Sequence, residues 1–109
     1  MARKEGALIN AIRLEASKCG ARLFRNNVGT LQTAEGRYVQ YGIGGVGGAD
    51  IVGWTPVTIT PEHVGRTLAI FTAIEAKTGR LKPTHEQESF LQAVERAGGI
   101  ARVVRESDM

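Results

Sequence analysis

The run TLAIFTAIEAK, residues 67–77, constrains the fold more than any other stretch of the chain. It is rich in β-branched and aliphatic residues and is apolar on both faces for most of its length, which predicts a central strand covered above and below. The rest of the chain must therefore supply neighbouring strands and packed layers. The last three residues break the pattern. Side chains alternate along a strand, so Glu75 and Lys77 share one side while Ala76 takes the other with Ile74. Opposite charges at the end of an apolar strand are either a strand end running into water or groups kept for a use, since burying them idle is costly.

Period and punctuation place the other elements. Residues 3–19 read as a helix with Leu8, Ile9, Ile12, Ala16 and Cys19 on one face, and Gly20 stands where a left-handed C′ residue ends it. ARLF at 21–24 predicts a short strand running into the turn-rich RNNVGT, and RYVQY at 37–41 predicts a second strand. ADIVGW, residues 49–54, predicts a third. Pro56 and Pro61 bracket VTIT, which is then an edge strand or a loop excursion. Thr84 and Gln87 match a capping box ahead of Phe90, Leu91 and Val94, so a second helix opens there, and Gly98-Gly99 ends it. IARVVR is a last strand. The order α, β, β, β, β, α, β describes an α/β (α+β) mixed β-sheet flanked by helices.

A chain of 109 residues predicts one domain, 1–109, with a modest core. No apolar run approaches the roughly 20 residues that span a bilayer, and MARKEGALIN does not read as a signal peptide. Cys19 is the single cysteine, which excludes an internal disulfide and a thiolate metal cluster within one chain and fits a reducing, cytoplasmic setting. A net charge of +3 and a pI near 9.4 permit a polyanionic partner without demanding one. A solvated surface with a small positive excess explains the same numbers.

GGVGGADIVGW, residues 44–54, brings a glycine run up to one carboxylate, Asp50. The glycines either cradle a phosphate or give a ligand close access to the acid. Gly42, Gly44 and Gly47 satisfy G-x-G-x-x-G, but the dinucleotide reading needs a helix next and a strand follows. No G-K-[ST] is present for a P-loop. His63 and His85 lack the neighbours of a zinc site, and Trp54 reads as packing. Sequential strands are usually spatial neighbours. Antiparallel pairing of 49–54 with 67–77 would bring Asp50 beside Glu75 and Lys77. Two carboxylates and a lysine form a hard-oxygen site for Mg²⁺ or Mn²⁺ and for phosphate chemistry.

These residues carry a resemblance. GGADIVGW followed by a strand ending IEAK is similar to the PD-(D/E)XK nuclease pattern of an acid, a gap, then acid-x-Lys. FRNNVG, GGADIVGW, IEAKTGRLKPTHEQESFLQA and AGGIARVVR, in that order, resemble its VRR-NUC branch, over about Glu5 to Arg105. Ala49 departs from the pattern, where a proline precedes the acid. That proline is not a ligand, so the metal chemistry is untouched.

The resemblance implies a restriction-endonuclease-like core of αβββαβ order and a metal-dependent DNA endonuclease, structure-selective for four-way or branched DNA. Stand-alone, phage-type members imply a homodimer, since one small domain carries one site and two strands must be cut. It implies Asp50, Glu75, Lys77 and Gln87 as catalytic residues. Asp50, Glu75, the Ala76 carbonyl and Glu5 are the implied metal ligands. Arg25, Asn26, Gly47, Gly48, Arg80 and Lys82 are the implied DNA contacts. Simpler roles stand beside these. Glu5 suits a helix dipole, Gln87 suits a capping box, the asparagines suit a turn, and Arg80 and Lys82 suit a solvated turn. A non-catalytic DNA-binding module with a degenerate nuclease fold is the alternative for the whole chain.

Overall fold

A computed structural model describes residues 4–109, so the expected helix start at Arg3 and the first residues of the N-terminal segment lie outside the described residues. The chain divides into two compact units, one ending at Thr55 and one spanning Pro56–Met109. Together they form a small mixed α+β protein with two helices and short two-stranded ladders.

The first unit opens with α1, Glu5–Ser17. Ile9 is its buried anchor at 4% exposure, and Ala21 just beyond the helix is buried with it. Gly20 ends the helix as expected: its N–H donates to Ser17 O at 3.0 Å and the Ala21 N–H to Ala16 O at 3.3 Å, the paired bonds of a left-handed glycine stop. The expected apolar face is narrower than its spacing implies. Leu8, Ile12 and Cys19 are exposed. The helix packs on β1, Arg22–Arg25, which pairs antiparallel with β4, Ile51–Trp54. Between them lies a hairpin of β2, Gly29–Gln32, and β3, Tyr38–Tyr41. β2 falls in a stretch expected to be turn. Thr30 and Gln32 lack apolar alternation, and the strand is specified by its partner: Gly29 sits opposite Tyr41, whose phenol fills the space a β-carbon would take.

In the second unit the expected strand 67–77 is shorter. Only Thr72–Lys77 forms β5, after the Thr72 hydroxyl turns back to the Ile70 carbonyl at 2.9 Å. β5 pairs in parallel with β6, Ile100–Arg105, through the crossover helix α2, His85–Arg96. Alternate β5 side chains are exposed, with Ile74 at 59%, so β5 is not the doubly covered strand its composition predicts. α2 lies on β5 and β6 with Val94 as the deepest side chain, 1% exposed. The helix stops at Gly98, and Gly99 donates to Val94 O at 2.9 Å.

Two expectations about the sheet are corrected. β4 takes β1 as its antiparallel partner, not β5, because the chain end after β1 folds onto the glycine loop before β4. Among the described residues the strands form three two-stranded ladders rather than one mixed sheet. The segment from Thr55 to Arg66 holds one short 3₁₀ turn, Pro61–His63, with VTIT outside any strand. No described helix is long and apolar enough to cross a membrane.

Candidate functional site

In the second unit, the end of β5 meets the first turn of α2. Glu75 and Lys77 lie on the better covered side of β5, their side chains 29% and 16% exposed. Gln87 binds in two directions. Its backbone N–H donates to Thr84 Oγ1 at 3.1 Å, and its Oε1 accepts from the Thr84 N–H at 2.9 Å, which closes the capping box. Its Nε2 then donates to Glu75 Oε1 at 2.8 Å. The cap orients the amide: with the oxygen held by a backbone donor, the nitrogen end is the one offered to the carboxylate. Lys77 Nζ stands 3.5 Å from that same Oε1.

Both donors thus converge on one oxygen of Glu75. Among the described residues, no hydrogen bond or ion pair reaches Oε2. The carboxylate is held by one oxygen and offers the other. A cleft of about 380 Å³ opens here, lined by Glu75 and Gln87 with the apolar side chains of Phe90 and Leu91. One end of the Gln87 amide closes the cap and the other holds Glu75. Ala76 lies between the charged pair, opposite Val104 in the ladder.

In the first unit, Asp50 is exposed and immediately precedes β4. Its backbone is held from β1. The Asn26 N–H donates to Asp50 O at 2.7 Å, one step beyond the Arg25–Ile51 register. The Asn26 side chain completes the hold: Nδ2 donates to Ile43 O at 2.8 Å and Ala49 O at 2.9 Å, and Oδ1 accepts from the Ile43 N–H at 2.9 Å. Both amide hydrogens are engaged, so the work of Asn26 here is to set the glycine loop and the acid at its end.

The glycines of that loop have internal reasons. Gly47 has φ +90°, a region other residues enter at a cost of about 1–2 kcal/mol, and a β-carbon there would meet open space. Gly48 is needed for a different reason. A β-carbon on it would collide with the Ile43 carbonyl. The close approach that Gly48 permits is to the chain's own backbone.

The remaining expected residues are more loosely placed. Arg25 Nε donates to Asn27 Oδ1 at 3.0 Å, and its Nη1 lies 3.6 Å from where a β-carbon on Gly6 would stand, over the first turn of α1. Glu5, in that turn, is exposed and suits the helix dipole. Arg80 and Lys82 are exposed in the turn after β5. The structure therefore brings Glu75, Lys77 and Gln87 together in one unit and Asp50, Asn26, Gly47 and Gly48 together in the other. Sequence reasoning passed over Arg105, whose Nη1 donates to Gly79 O at 3.2 Å and pins the turn bearing Arg80 and Lys82. Its signal was available: a parallel β5–α2–β6 register sets Arg105 beside Lys77.

Among the described residues no three His, Cys, Asp or Glu side chains gather as a metal-holding group. Glu75 brings one carboxylate to its cluster with Lys77 and Gln87, and Mg²⁺ and Mn²⁺ are cations that keep several waters and bind through one or two carboxylates. Compared with protein-family models, with curated proteins and with solved structures, the chain matches none.

Proposed function

We propose that the chain is a metal-dependent DNA endonuclease of the PD-(D/E)XK type, similar to stand-alone VRR-NUC domains, acting on four-way or branched DNA as a homodimer. The observation that carries this reading is the state of Glu75: Gln87 Nε2 at 2.8 Å and Lys77 Nζ at 3.5 Å share one carboxylate oxygen and leave the other unengaged. A merely solvated strand end needs no such arrangement of donors.

On this reading Asp50 and Glu75 are metal ligands, with the Ala76 carbonyl and Glu5 as further oxygen donors. Bound Mg²⁺ or Mn²⁺ supplies charge neutralisation at the phosphate and a nucleophile at neutral pH. Gln87 keeps the Glu75 carboxylate in one rotamer. Lys77 brings a positive charge to the negative charge that grows on the phosphoryl oxygens. Hydrolysis forms a phosphorus–oxygen bond from water and breaks the bond to one esterified sugar oxygen, which leaves with a proton from solvent. Asn26 fixes the backbone that presents Asp50, whereas Gln87 acts on the Glu75 carboxylate directly.

Calorimetric titration with Mn²⁺ separates this reading from a non-catalytic DNA-binding module. The wild-type chain is expected to bind Mn²⁺, and Glu75→Gln and Asp50→Asn are each expected to weaken that binding at least 10-fold. Wild-type protein that binds DNA but takes up no Mn²⁺ would favour the non-catalytic module.

A further inference from the structure

The C-terminal end of the β5–β6 ladder carries more positive charge than the Glu75 pair uses. Lys77 and Arg105 are Cα partners in the parallel register, on strands about 4.8 Å apart, and directly paired residues share a face. Arg105 is only half-exposed, and among the described residues its guanidinium donates to the Gly79 carbonyl alone, at 3.2 Å. That bond ties it to the turn carrying Arg80 and Lys82. Among the described residues no carboxylate lies within ion-pair distance of Arg80, Lys82 or Arg105; the ion pairs present are Lys18–Glu15 and Lys77–Glu75. A guanidinium partly withdrawn from water and held in place, with the neighbouring Asp108 carboxylate engaged by the Arg105 backbone N–H at 2.7 Å and not by the guanidinium, is suited to an anion that arrives from outside.

We infer that Arg105 is a phosphate-binding residue, and that with Arg80 and Lys82 it forms a subsite for the DNA backbone next to Glu75 and Lys77. The inference rests on the nuclease reading for the identity of the polyanion; the charge, the register and the pinned guanidinium are independent of it. Glutamine carries no charge, and its amide nitrogen lies two atoms short of the position from which Nη1 reaches the Gly79 carbonyl, so it gives up an exposed bond as well as the charge. Lysine keeps the charge.

The test is fluorescence anisotropy of a labelled four-way junction and a labelled linear duplex, in EDTA, across a salt series, with the full chain. Each phosphate neutralised contributes about 0.9 to the slope of log affinity against log salt for duplex DNA. Arg105→Gln is expected to lower that slope by about 0.9 and weaken binding several-fold on both DNAs, with an unchanged melting temperature. Arg105→Lys is expected to keep the wild-type slope. An Arg105→Gln protein with wild-type affinity and slope overturns the subsite and leaves the nuclease reading standing. Wild-type protein that binds neither DNA overturns both. Should Arg105→Gln fail to fold, arginine modification of the wild-type chain by phenylglyoxal decides: DNA is expected to protect Arg105, and equal modification with and without DNA overturns the inference.

Discussion

Gln87 shows how one side chain caps a helix and holds a carboxylate. Its oxygen closes the α2 cap and its nitrogen holds Glu75. The two roles come apart by substitution. Gln87→Met removes both and is expected to cost about 1 kcal/mol of stability and at least 10-fold in DNA cleavage. Gln87→Glu keeps the acceptor for the Thr84 N–H but sets a second carboxylate against Glu75. It is expected to stay near wild-type stability and still lose at least 10-fold in cleavage. Denaturant unfolding and cleavage measured side by side check this, and a Gln87→Glu enzyme of full activity would make the cap the whole role. The capping box was legible in the sequence because Thr84 and Gln87 are close in the chain. The bond to Glu75 spans twelve residues and needed the fold. Asn26 follows the same logic. Its place in RNN marks a turn, but its grip on Ile43 and Ala49 depends on where the loop returns.

At the scale of elements, local signals read well and long-range ones did not. α1, α2, their glycine stops, β3 and β6 all fall close to the expected residues, since each rests on period, caps or β-branched content. β2 was hidden because its stability lies in its partner. Tyr41 covers Gly29 across the hairpin, and a two-stranded hairpin is marginal without such cross-strand contacts. Tyr41→Ala is expected to destabilise the hairpin by about 0.5–1 kcal/mol, seen as faster amide hydrogen exchange in β2 and β3 with α2 unchanged. Uniform acceleration across both units would contradict a local role. The length of β5 was overread because an apolar run says nothing of where ladder bonding begins. The glycine loop changes meaning at this scale too. Gly48 is required by the Ile43 carbonyl, so loss of cleavage in a Gly48 variant reports on the loop; Gly47, whose β-carbon direction is open, is the better probe of access for DNA.

At the scale of the molecule, charge and size frame the proposal. A chain of net charge +3 in which Arg80 and Arg105, among the described residues, make no ion pair is suited to a polyanion. Symmetric cutting of two strands requires two copies of a single site, so light scattering at micromolar concentration is expected to give twice the 11.7 kDa chain mass, and a monomer with and without DNA would count against junction resolution. Asp50, Glu75, Lys77 and Gln87 stand out in the sequence because their chemistry is in their residue types; the contacts among Glu75, Lys77 and Gln87 needed the fold. The antiparallel pairing of β4 with β5, expected from their order in the chain, does not form, because sequence neighbours along a chain need not be neighbours in a ladder; β4 pairs with β1 instead.

Cleavage of a labelled four-way junction in Mn²⁺ tests the central claim most directly, with wild-type protein, Asp50→Asn, Glu75→Gln and Lys77→Ala compared at equal concentration. The wild-type chain is expected to cut the junction in Mn²⁺ or Mg²⁺ and not in EDTA, with each variant slower by about 100-fold or more. No cleavage of four-way, flapped or linear DNA by the wild-type chain, or undiminished cleavage by any of the three variants, would contradict it.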